Sequence, residues 1–146
     1  YVDGPSMNNT LHDKETLIVS NLFYTPKNND IVVFQSPDSG IKGGIVKRVI
    51  ATAGQTVDID FDTWKVTVDG VALDESYVNY EDGTVMRSFD VTFPLTVPEG
   101  YVFVMGDNRN HSNDSRGSQI GCVDTRFIFG HVLFRVTPLS RFGTVG

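Results

Sequence analysis

Ser6 follows Gly4 and Pro5 in the stretch VDGPSMNNTL, and Lys47 sits among apolar residues in GIVKRVIA. A serine hydroxyl becomes a nucleophile when a base takes its proton, and a lysine amine can be that base once burial disfavours its charged form. The two are 41 positions apart (47 minus 6), which lets them meet across a sheet. A third stretch, GDNRNHSNDSR at residues 106–116, has no apolar position. There Asp107 and Asp114 can accept from the planar forks of Arg109 and Arg116, and Ser112 can turn its hydroxyl toward a nearby amine. Each stretch also has a plainer reading: a serine satisfying its own turn, a lysine alternating out to solvent, and a solvated loop.

The elements that would position these groups read as strands. Residues 15–20, 30–34, 44–51, 55–61, 88–93, 101–105 and 130–136 are short runs rich in Val, Ile and Phe, bounded by Gly, Pro, Asn or Asp. WKVTVDGVAL adds a hairpin, because Asp69 and Gly70 suit the positive φ of a type I′ turn. No window carries a convincing helical period. The chain therefore reads as one mainly β, antiparallel domain over residues 1–146, with a small inserted β-hairpin lobe at about residues 63–96.

Composition narrows the function. The 146 residues carry 18 acidic and 12 basic side chains, a net charge of -6. Eight acids and only Lys65 as a base lie between Val57 and Asp82, which suggests an acidic face that disfavours nucleic acid as a partner. Three scattered histidines and the single Cys122 offer no zinc spacing, so neither a metal nor a cofactor is expected. Cys122 reads as a half-buried apolar residue. The first residue, Tyr1, suggests a fragment of a longer protein.

Together, GPSMNNTL, NNDIVVF, VKRVIATAGQ and GDNRNHSNDSR resemble the type I signal peptidases, membrane-bound serine proteases that remove signal peptides from exported preproteins. VTVDGVALDESYV is similar to the hairpin of the smaller, Gram-positive-like members. The resemblance implies Ser6 as nucleophile and Lys47 as general base, with Ser112 orienting the amine and Asp114, Arg116, Asp107 and Arg48 as supporting groups. It implies an oxyanion donor in the Ser6 N–H. Some members add a hydroxyl two residues earlier, where this chain has Gly4. The substrate would lie as an added strand between YVDGP, which contributes Val2 and Gly4, and GIV, with shallow apolar pockets near Met7, Leu11, Ile45 and Val46 for small side chains, hence cleavage after Ala-x-Ala-like sequences.

The implied partners are preprotein signal peptides, and membrane lipid through an N-terminal anchor preceding Ser6. The implied location is the outer face of the bacterial cytoplasmic membrane. Two positions depart from the family pattern: Asn9 stands where a proline is usual and Gln55 where an acid is common, so looser geometry is expected after Met7. Three other readings remain: a self-cleaving repressor-type Ser-Lys protease, a Ser-His-Asp enzyme using His111, and a catalytically weak assembly factor for surface proteins or pili.

Overall fold

The computed structural model describes residues 2–145. Among them the strands are β1 Thr16–Ser20, β2 Ile31–Phe34, β3 Ile45–Thr52, β4 Thr56–Asp60, β5 Lys65–Val68, β6 Val71–Ala72, β7 Leu95–Thr96, β8 Tyr101–Met105, β9 Val123–Asp124, β10 Ile128–Thr137 and β11 Gly143–Thr144. The helices among the described residues are single 3₁₀ turns, and none is long and apolar enough to cross a membrane. The chain is mainly antiparallel β, as its patterning implies.

Seven strands form one sheet in the order β1-β10-β2-β3-β8-β9, with β11 beside β10; β6-β5-β4-β7 form a second. Asp69 and Gly70 join β5 to β6 with φ of 51° and 79°, the left-handed pair that a tight hairpin requires. A shared core joins the two sheets. Ile50, Ala51, Phe103 and Met105 of the large sheet pack against Val57, Ile59 and Val66 of the small one and Trp64 of the β4–β5 turn. Burying each large apolar side chain stabilises the fold by about 1.5–3 kcal/mol.

The run at residues 88–93 is not a strand. Its polar groups are committed elsewhere: the Asp90 carboxylate accepts from the Ser118 backbone and hydroxyl, and Val91 N–H donates to the Arg116 carbonyl. Phe89 lies against Gly117 and the Arg116 guanidinium. Alternating apolar residues here clamp a loop over the polar 106–116 segment instead of pairing in a ladder. The strand at this point is the two-residue β7, just beyond.

Candidate active site

The segment after Pro5 folds into a tight turn, with Asn8 N–H on the Pro5 carbonyl at 3.0 Å and Leu11 N–H on the Met7 carbonyl at 2.8 Å. Met7, Leu11 and Val2 pin it from below by packing with Ile31 and Val132. Thr10 Oγ1 donates to Asp107 Oδ2 at 2.5 Å, and Arg135 Nη1 to the Thr10 carbonyl at 2.8 Å. These side chains hold the turn at the point where the family's proline is replaced by Asn9. Gln55 does the work of an acceptor at its turn: Oε1 takes the Thr52 N–H and the Asn28 amide, each at 2.9 Å.

Lys47 Nζ lies 2.6 Å from Ser6 Oγ, and Lys47 is 4 % exposed. The solvent-facing alternative for this lysine is therefore excluded. Burial pulls its pKa from 10.5 down to about 8; Asp114 and Asp107 push it back up, and Arg116 lowers it further. A substantial neutral fraction is thus present in mildly alkaline water, and a neutral amine at this distance can accept the hydroxyl proton.

Beneath this pair lies a buried polar network. Arg48, next to Lys47 and on the opposite face of β3, forks onto both Asp107 oxygens at 2.9 and 2.8 Å and stacks on Tyr77. Arg116 holds Asp114 through Nε and Nη2, both at 2.8 Å, and spends its remaining donors on the carbonyls of Arg87 and Arg109. Burial raises the Asp114 pKa, but Arg116, the Gly106 N–H and the Ser112 hydroxyl outweigh it and hold the carboxyl below its usual range. Ser112 Oγ donates to Asp114 Oδ2 at 2.8 Å and makes no bond to Lys47 among the described residues. Its single proton is taken by the carboxylate, while its lone pairs remain able to accept. Gly106 lets these parts close together: a Cβ there would collide with Ser112 and come within 2.6 Å of the Ser6 carbonyl.

A cleft of about 230 Å³ opens over Ser6 and Lys47, walled by Val2, Met7, Ile45 and Val46, with Asp3 and Lys42 at its margin. Leu11, expected near these pockets, does not line the cleft: it is fully buried behind the turn, where its apolar side chain completes the core, and Gly4, expected only in the strand beside the substrate, borders a cavity next to Asp13 and His12. Along the cleft, β3 has an edge that no strand pairs with among the described residues. Ile45, Val46 and Lys47 pair with β2 on one side, and β8 takes up the other side only from Arg48 onward. Tyr1 is outside the described residues.

Sequence reasoning missed several groups that join the small sheet to this site. Glu75 and Arg109, both buried, approach to 2.5 Å as an ion pair. Glu75 therefore does not belong to the acidic face; burial raises its pKa against the pull of Arg109. Asn108, also buried, donates its side-chain amide to the Pro5 carbonyl at 3.0 Å and its backbone N–H to the Ser6 carbonyl at 2.9 Å. Asn79 Nδ2 donates in turn to Asn108 Oδ1 at 3.2 Å. Within its own stretch Arg109 had Asp107 and Asp114 as ready acceptors, but Arg48 takes Asp107 and Arg116 takes Asp114, which leaves Arg109 to an acid from the small lobe.

His111 is exposed and pairs with Glu81 at 2.8 Å, away from Ser6. Substituting His111→Ala is expected to leave peptide cleavage within about two-fold of the parent, because an exposed pair contributes little. A steady-state assay checks this, and a loss of orders of magnitude would reinstate a histidine-based mechanism. Burial pushes the Cys122 thiol up to about 11, which leaves it an inert apolar residue.

The family model described as signal peptidase, peptidase S26, matches residues 1–137. The chain is 38 % identical to probable signal peptidase I-1 of Synechocystis sp., the alignment covering all of this chain and 74 % of that protein. It is 35 % identical to signal peptidase I of Bacillus licheniformis, over 96 % of this chain and 76 % of that one. The crystal structure of a signal peptidase I from Enterococcus faecalis superposes with a TM-score of 0.60 at 32 % identity, covering 74 % of this chain and 97 % of that chain.

Proposed function

The chain belongs to the signal peptidase family of serine proteases, and from that premise we propose that Ser6 and Lys47 are the nucleophile and base with which it cuts signal peptides from exported preproteins after Ala-x-Ala-like sequences. The observation that carries this reading is the 2.6 Å contact between a buried lysine amine and the Ser6 hydroxyl. The neutral amine takes the Oγ proton as Oγ bonds to the scissile carbonyl carbon. The resulting ammonium gives that proton to the leaving nitrogen as the C–N bond breaks. Water, deprotonated by the same amine, then attacks the Ser6 ester; the proton returns to Oγ as the ester bond breaks.

Ser112, whose proton goes to Asp114, keeps its oxygen lone pairs open to accept from the ammonium once that forms. The substrate adds as a strand to the free edge at Ile45–Lys47. Its alternate side chains meet Val2, Met7, Ile45 and Val46, which leave room for alanine and obstruct larger groups. In this reading the enzyme works at the outer face of the bacterial cytoplasmic membrane, held there by a single-pass anchor.

The test is cleavage of a detergent-presented peptide bearing one Ala-x-Ala site. The parent is expected to cut after the second alanine, and Ser6→Ala to lower kcat by at least about 10³-fold. A folded parent that binds the peptide without cutting it would sink the proposal, as would an active Ser6→Ala variant.

A further inference from the structure

Two peptide planes meet at the Ser6 Cα, and Asn108 holds both. Its side-chain amide donates to the Pro5 carbonyl at 3.0 Å and its backbone N–H to the Ser6 carbonyl at 2.9 Å. The Asn79 amide, donating to Asn108 Oδ1, fixes which way round the Asn108 amide lies. The Pro5 carbonyl thus accepts two N–H groups, from Asn108 and from Asn8. At the other end of that same peptide unit is the Ser6 N–H, which has no acceptor among the described residues. An N–H left free beside an attacking hydroxyl is suited to bind the charge that develops on the substrate oxygen. Gly4 supplies no side-chain donor, so this one amide carries more of that task.

We propose that Asn108 is a positioning residue for transition-state stabilisation, acting through the Pro5–Ser6 peptide, which it both aims and polarises. Hydrogen bonds to a peptide carbonyl strengthen donation from its N–H. A donor held in place before reaction needs no reorganisation as the charge appears. The inference rests on the Ser6–Lys47 reading and adds to it the group that aims the oxyanion donor.

The test compares the parent with Asn108→Leu and Asn108→Ala. The leucine keeps much of the side-chain volume and brings no charge near Lys47 but loses the donor to Pro5, so it carries the measurement if the alanine variant folds poorly. Four readouts are taken: kcat and KM on the Ala-x-Ala peptide, the pH midpoint of the rate, affinity for a non-cleavable peptide, and affinity for a peptide aldehyde that forms a tetrahedral adduct on serine. The expected result is a fall in kcat of about 10- to 100-fold, somewhat less than deleting an oxyanion donor outright. Aldehyde affinity falls in parallel, while KM, peptide affinity and the pH midpoint stay near parental values. The inference is overturned if both variants keep kcat within about two-fold. It is equally overturned if peptide affinity falls as much as kcat, or if the pH midpoint moves while the plateau rate holds, since Asn108 would then act on binding or on Lys47. An inert parent overturns the Ser6–Lys47 reading and this inference together; an active parent with unaffected variants overturns only the inference.

Discussion

Replacing Lys47 with methionine is expected to lower kcat by at least about 10³-fold while leaving the fold intact. Methionine follows the apolar stem of lysine closely and is at ease in a buried strand. It has no basic nitrogen, so Ser6 would keep its proton during attack. Removing a buried amine also removes its desolvation cost, so the melting temperature should hold or rise. The parent supplies the complementary signature. Because burial brings the amine down to about 8, kcat/KM should climb as pH rises through that value, more than two units below the 10.5 of an ordinary lysine. A pH profile of the parent and a thermal melt of the variant check both halves. A methionine variant that still cuts, or a parental rate that is flat between pH 7 and 9, would remove Lys47 from the chemistry.

The largest effect on stability is expected from Asp114→Ala. Asp114 accepts from Gly106 N–H, the Ser112 hydroxyl and three Arg116 donors, and neither Asp114 nor Arg116 is more than 1 % exposed. Removing the carboxylate strands a guanidinium in the core, a loss of about 3–5 kcal/mol. For a domain of this size that lowers the melting temperature by roughly 10–15 °C. Asp114→Ala with Arg116→Met should recover part of the loss, because no unpaired charge remains. Recovery stays incomplete, since the carbonyls of Arg87 and Arg109 lose their donor. The folded pKa of Asp114 lies below its unfolded value, so its contribution is complete above about pH 4 and disappears as pH falls through the folded value. A single-variant melt equal to the parent's would show the pair to be energetically idle.

Much of this architecture is legible in the pattern of residues, for identifiable reasons. Runs such as IVVF and YVFVM are short, β-branched or aromatic, and flanked by turn residues, and tertiary packing has no cause to override them. The 88–93 run carries the same alternation but fails, because Asp90 and Phe89 are claimed by Ser118, Gly117 and Arg116, partners distant in sequence. Burial was harder to read than direction. Lys47 and Arg48 are consecutive and must face opposite ways, yet both are enclosed, since layers cover β3 from either side. Pairings across long separations left no local trace: Glu75 looked like one more surface acid, and nothing about Asn108 separates it from its polar neighbours. The residue types posed the question of whether Ser6 meets Lys47, and the likeness of four stretches to the signal peptidases favoured one answer among several that stayed open.

The free edge of β3 has a consequence beyond recognition. An unpaired strand edge is a template for any extended chain, including another copy of the same protein. Here it is three residues long, Ile45 to Lys47, or about 10 Å at the usual rise per residue. Glycines 43 and 44 precede it, and the arrival of β8 closes it at Arg48. A stable intermolecular ladder needs a longer run than this, so brevity protects the molecule from self-assembly into fibrils even where many copies crowd together. An edge this short can stand open among the described residues without inviting such a ladder.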